Sequence, residues 1–192
     1  TVRLTAQDDL QTAVIASGGN AFWVGGPAQS FKSMVAREVE QVKVGKYYQV
    51  KYQVWGKAGA AECPSSTDSL ASWVSLGTRT TISTTTTATG TEVAIPIVTF
   101  SVPGADDPAT PAASLLGVCD SAGAVLHYRG NIFASNGTAG ENRTVNDVEI
   151  ESYVRGVIPR ESPASWADRG NGTGINALKA QAVAARSYGL AQ

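Results

Sequence analysis

The chain has 192 residues, 43% of them hydrophobic and 16% charged, a balance that fits a soluble globular protein able to bury one large core or two small ones. A formal net charge of −1 gives no electrostatic basis for nucleic-acid or anionic-membrane binding. No apolar run approaches the roughly 20 residues that span a bilayer. Thr1 opens directly into polar sequence, so the expected form carries no signal peptide and is a mature or trimmed chain.

The expected fold class is α+β. No repeat at solenoid or propeller period is present, and residues 1–125 read as a β-rich region of unassigned role. Val35 to Val44 has valines at helical spacing, yet its β-branched content and the Gly45-Lys46 turn point to a hairpin with the next strand. That strand, Tyr47 to Trp55, alternates strictly: Tyr48, Val50, Tyr52 and Val54 on one face, Tyr47, Gln49, Lys51, Gln53 and Trp55 on the other. Gly56 is expected to break it. The threonine-rich stretch 78–91 suits exposed strands or an extended linker, and 92–102 returns to β-branched strand character. Two prolines and a glycine make 103–113 a loop. Leu115 to Cys119 and Ala124 to Tyr128 read as strands of a meander, with a domain boundary expected at 125/126.

Residues 126–192 change character. Short strands at Ile132 to Ala134 and Arg143 to Val145 flank a turn composition. A helix is expected from near Asp147, with Ile150, Tyr153, Val154 and Val157 on one side, acids at its start, and Gly156 and Pro159 ending it. A second, short helix should open at Ser162 as N-cap with Pro163 in the first helical position. After the glycine-rich loop Asp168 to Gly174, a third helix runs from Ile175 to Leu190.

Glu161 is the candidate acid. Lying between Pro159 and Pro163, it is expected on a stiff, extended segment beside a helix start. A general acid must keep its proton near neutral pH, so its pKa must rise well above the ordinary carboxylate value. Apolar neighbours such as Trp166 favour that, whereas a helix start favours the charged form. A solvated, purely structural acid is the competing reading. Lys179 and Arg186, seven residues apart on the third helix, should project from one side among small alanines. They are either a solvated cationic stripe or a pair that holds anionic or hydroxyl-rich groups, with Gln181 and Tyr188 as weaker candidates. Tyr47, Trp55, Trp23 and Trp73 suit core packing better than a sugar-stacking face. His127 is the only histidine and reads as structural, so no metal site is expected. Nucleotide-binding, nucleophile-elbow and zinc-protease motifs are absent, and no cofactor is expected.

Three ordered blocks carry a family resemblance: Tyr128-Arg129-Gly130-Asn131-Ile132, the run from Val145 to Trp166 that contains Tyr153-Val154-Arg155-Gly156-Val157-Ile158-Pro159-Arg160-Glu161, and Ala177-Leu178-Lys179-Ala180-Gln181-Ala182-Val183-Ala184-Ala185-Arg186-Ser187-Tyr188. Residues 126–192 resemble the N-terminal part of the SpoIID/LytB domain, the family of sporulation stage II protein D and amidase enhancers. The resemblance implies a peptidoglycan lytic transglycosylase that leaves a 1,6-anhydro product. Glu161 matches the catalytic acid, and Lys179 and Arg186 match groove positions, joined here by Gln181 and Trp166. It also implies glycan strands as partner, an extracellular or cell-wall location, and in some members an amidase partner rather than catalysis. A structural protein of a spore or envelope layer is a third reading. Ser162 stands where the family usually has Met, the 168–174 loop reads as an insertion, and family members continue beyond this last helix, so a truncated domain is expected. In that exported context Cys63 and Cys119, otherwise two buried thiols, are expected to form a disulfide.

Overall fold

The computed structural model describes the chain except for residues 9, 10, 19, 46, 83, 87–91, 95, 96, 138, 139 and 192; for 4–8, 81, 82, 84–86 and 92–94 it describes the backbone alone. The strands in chain order are β1 (Val2–Asp8), β2 (Gln11–Ile15), β3 (Ala21–Trp23), β4 (Ser30–Phe31), β5 (Ser33–Val44), β6 (Tyr47–Lys57) and β7 (Val74–Ile82). They continue as β8 (Thr84–Thr86), β9 (Glu92–Ala94), β10 (Val98–Ser101), β11 (Leu116–Cys119), β12 (Val125–Tyr128), β13 (Asn131–Asn136) and β14 (Asn142–Val148). Two α-helices follow, α1 (Ile150–Glu161) and α2 (Ile175–Leu190), separated by a 3-10 segment at Ala164–Asp168. The chain packs as two compact units, Thr5–Asn146 and Thr1–Leu4 with Asp147–Gln192.

Two six-stranded sheets form among the described residues, ordered β1-β14-β13-β10-β3-β4 and β12-β11-β2-β5-β6-β7. The β5–β6 pair is antiparallel from Ser33↔Lys57 to Val44↔Tyr47, with a bulge between Glu38 and Glu40. Alternation along β6 does what its sequence predicts: Val50, Tyr52 and Val54 are fully buried, the intervening residues only partly. They meet Met34 and Ala36 of the same sheet and Trp23, Phe100, Ile132 and Ala134 of the other in one apolar core. Gly56 does not break the strand. It pairs with Met34, and a side chain there would sit 2.6 Å from the Phe31 ring, so the glycine makes room for packing instead of ending the ladder.

The first four residues of β5 are buried on both faces because the 58–73 connection lies over the outer face of its sheet. Leu70 and Trp73 from this connection pack on Ala13, Ile15 and Val35, with Trp55 and Cys63 alongside. Cys63 is joined to Cys119 of β11 by a disulfide with Cα atoms 5.5 Å apart. Polar contacts hold the same segment: Gln11 Nε2 donates to Pro64 O at 2.7 Å, and Arg37 donates to Asp68 O at 2.9 Å and Ser65 O at 3.0 Å. Trp23 and Trp73 are thus core residues at 6% and 9% exposure. Tyr47 and Trp55 are half-buried, and His127 is exposed on β12.

A polar cluster interrupts the core. The Tyr52 hydroxyl lies 2.7 Å from Asn142 Oδ1, and Thr12 and Thr144 share a 2.8 Å hydrogen bond. Burial first, then the charges of Glu38 and Glu141, push the Tyr52 phenol well above its ordinary pKa. Residues 125 and 126 both belong to β12, which pairs with β11 from Leu116↔Tyr128 to Cys119↔Val125. The packing division falls later, between Asn146 and Asp147.

In the smaller unit the expectation of three helices is corrected to two. Neither Gly156 nor Pro159 stops α1, which runs to Glu161 with Pro159 inside it. Proline forgoes one backbone hydrogen bond there, but Ser162 N still donates to Ile158 O at 2.8 Å. Pro163 is what ends the helix, because the residue before a proline is driven out of the helical region; Ser162 accordingly has φ −138° and ψ 111°. Ser162 is therefore the C-cap of α1, not the N-cap of another α-helix, and the expected second helix is the single 3-10 turn after Pro163.

Candidate functional site

Glu149 starts α1 as its N-cap: the carboxylate accepts Glu151 N–H at 2.7 Å and Ser152 N–H at 3.0 Å. This satisfies two of the donors that a helix start leaves open and places negative charge at the positive end of the dipole. The helix therefore begins at Ile150, three residues later than its acid-rich sequence suggests. Glu161, as its last residue, lies at the opposite end, beside the carbonyl groups, and not on an extended strand near a helix start.

Helix α2 packs on α1 through a stripe at Leu178, Gln181, Ala182, Ala185, Arg186 and Gly189, all buried or half-buried while their neighbours are exposed. The spacing is that of one helical face. Small residues on this stripe permit close approach: a Cβ on Gly189 would lie 2.8 Å from the Tyr153 ring and 3.1 Å from Val2. At the other end of α2, a side chain on its N-cap Gly174 would overlap the carbonyl oxygen of Trp166. The glycine-rich loop thus turns tightly enough to bring the 3-10 segment against the helix start.

This packing sorts the predicted site residues. Gln181 Nε2 lies 3.4 Å from Glu161 Oε2, a long contact that joins the end of α1 to α2. Arg186 instead grips Glu151, with Nη2 at 2.7 and 2.8 Å from the two carboxylate oxygens and Nε at 3.1 Å. The expected pair of cations is therefore split: Arg186 clamps the two helices, and Lys179 is exposed with no ion pair among the described residues. Trp166 is 39% exposed. Glu161 itself is exposed, and Ser162 behind it is buried.

Tyr153 is a neighbour that the sequence reading placed only on an apolar stripe. Burial chiefly, then the charges of Tyr188 and Glu161, raise its phenol above the ordinary pKa. Its four-residue step to Val157, and Val157's to Glu161, was the signal available in sequence. The arrangement is one solvent-accessible carboxylate with an amide donor from Gln181 beside it, groups able to exchange a proton with a polar, hydroxyl-bearing ligand. Among the described residues no three His, Cys, Asp or Glu side chains group as a metal site. An open cleft of about 540 Å³ in the larger unit is lined by Lys57, Glu62, Asp68, Trp73 and neighbours, and of the predicted site residues it includes Cys63 alone.

Residues 138–192 match the family model described as SpoIID: Stage II sporulation protein. Over 46 residues the chain is 48% identical to an uncharacterized protein of Brachyspira hyodysenteriae (strain ATCC 49526 / WA1), a stretch covering 24% of this chain. The chain spans 11% of that relative's length. No solved structure matches.

Proposed function

We infer, from a chain whose residues 138–192 belong to the SpoIID family, a sporulation- or cell-wall-related role in which the smaller unit acts on peptidoglycan glycan strands as a lytic transglycosylase. The observation that carries this reading is Glu161: an accessible carboxylate at the end of α1, contacted by Gln181 of α2, inside the family-matched segment. In the proposed reaction the Glu161 carboxyl donates its proton to the glycosidic oxygen between N-acetylmuramic acid and N-acetylglucosamine. The bond from that oxygen to the muramic C1 breaks, and positive charge develops on the sugar ring. The C6 hydroxyl of the same ring then attacks C1, and the Glu161 carboxylate takes the hydroxyl proton. A 1,6-anhydro ring results and the acid is regenerated. One carboxylate suffices because the nucleophile is internal, whereas most glycosidases need two.

Lys179, Gln181 and Trp166 would bind the glycan, with Lys179 free to meet an anionic group. Arg186 holds α1 to α2 and acts on the reaction through that clamp. Action on glycan strands outside the cell agrees with the Cys63–Cys119 disulfide, since such bonds persist mainly in oxidising compartments.

Exposure of Glu161 favours a second reading, a non-catalytic module that binds peptidoglycan or stimulates an amidase, because burial is a principal route by which a carboxyl holds its proton. The test is incubation with purified glycan strands stripped of stem peptides, with products read by mass spectrometry. Release of 1,6-anhydro-muramic ends that disappears in Glu161→Gln supports the enzyme. Anhydro products unaffected by that change remove Glu161 from the mechanism. Sedimentation with sacculi without products selects the binding module.

A further inference from the structure

Two Asn-Gly steps occur outside any α-helix, and the structure treats them oppositely. Asn136-Gly137 closes β13: Asn136 is fully buried, and Gly137 N–H donates to Glu141 O at 2.7 Å. Asn171-Gly172 lies in the loop before α2, where both residues are exposed. Asn171 adopts the left-handed conformation, φ 53°, and Gly172 has φ 86°. The Asn171 side chain has no hydrogen bond among the described residues, and Gly172 N–H donates to none.

We propose that Asn171 is a site of spontaneous deamidation, a covalent modification independent of the glycan-cleaving reading. The nucleophile is the Gly172 backbone nitrogen, which has no Cβ beside it to hinder approach and no hydrogen bond to forfeit. After losing its proton to solvent base, it attacks Asn171 Cγ. A carbon–nitrogen bond forms, the side-chain amide leaves as ammonia with a proton from water, and a five-membered succinimide results. Water then adds at one of the two ring carbonyls. Opening at the side-chain carbonyl gives aspartate; opening at the main-chain carbonyl gives isoaspartate, whose backbone is longer by one methylene. No electrons are exchanged, and water is the sole co-reactant.

Either product carries one further negative charge in the loop that leads to Gly174, the N-cap of α2, where no side chain caps the helix and no acid occupies its first turn. The isoaspartate product also lengthens a loop closed by Gly174 N to Arg169 O at 3.0 Å and Thr173 N to Gly170 O at 3.2 Å. The start of α2, and with it Lys179 and Gln181, is the part of the protein that such ageing alters.

The test is incubation of the folded protein at neutral and mildly alkaline pH, followed by peptide mapping for the mass change from amide to acid. Asn171 should convert to both isomers, faster at the higher pH, at a rate within a few-fold of the free peptide Arg169 to Ile175. Asn136 should keep its amide in the folded protein and convert once urea unfolds it. In Asn171→Gln, whose longer side chain disfavours the five-membered ring, the acidic species in isoelectric focusing should be lost while circular dichroism is unchanged. An Asn171 that stays amidated, with or without conversion of the free peptide, overturns the proposal. Conversion of Asn136 as fast as Asn171 in the folded chain overturns it equally.

Discussion

Replacing Cys63 and Cys119 together by serine tests what holds the 58–73 connection over its sheet. The disulfide joins residues 56 apart in sequence, and in the chain-entropy account a loop of that length stabilises the native state by about 4 kcal/mol, because the cross-link restricts the unfolded chain. In the native state, however, the connection is held independently. Arg37 donates to Ser65 O and Asp68 O, Gln11 donates to Pro64 O, and Leu70 and Trp73 are buried beneath. The serine variant should therefore keep its structure and lose stability through the unfolded state. For a chain of this size 1 kcal/mol moves Tm by about 2–4 °C, so a fall of about 8–16 °C is expected. Thermal unfolding by near-ultraviolet circular dichroism and tryptophan emission provides the assay, since Trp55 and Trp73 border the disulfide. The native spectrum should change little, while the midpoint falls. Adding Arg37→Ala to the serine variant should then shift the native emission of Trp73, because the bonds to Ser65 O and Asp68 O are removed as well. A Tm within about 2 °C of the oxidised parent would refute the reasoning, as would loss of the native tryptophan signal in the serine variant alone.

Glu38 has its pKa raised by burial and then by Glu141, so the folded state binds its proton more tightly than the unfolded state does. Stability should be highest below the ordinary glutamate pKa and fall as pH rises through the folded value; urea unfolding of Glu38→Gln should show a gain over wild type that grows across that window and vanishes in acid. Gly56→Ala places a methyl against the Phe31 ring and should cost about 1–3 kcal/mol in urea unfolding, whereas no loss would mean that the ring simply moves aside. Breaking the exposed Arg186–Glu151 pair should cost no more than about 1 kcal/mol of coupling in a double-mutant cycle. For Glu161→Gln, the expected result is loss of 1,6-anhydro ends with retained binding to sacculi.

Much of the fold was legible because single-strand and single-helix signals are local. The alternation of β6 and the small-residue helix from Ile175 to Leu190 each follow from patterns that sequence displays directly, and the family blocks located Glu161 without geometry. Where the reading failed, the missing information lay in a neighbour. Gly56 looks like a strand breaker until Phe31 is seen occupying its side-chain space. Pro159 looks like a helix terminator, yet Pro163 ends α1 by fixing Ser162. That the Arg186 guanidinium meets Glu151, 35 residues away, was likewise beyond the reach of local spacing.

The sequence alone determined the residue chemistry: a strand-rich chain, two cysteines, a lone candidate acid and a small-residue helix able to pack closely. Those follow from composition and from short-range spacing, which backbone geometry converts into faces. Tertiary structure decided which of these groups meet. Only folding could bring Cys63 to Cys119, set Gln181 beside Glu161, divert Arg186 to Glu151, and leave Gly172 N–H open while Gly137 N–H is bonded. Partners distant in sequence are chosen by packing, where the burial of whole faces outweighs the preference of any single residue.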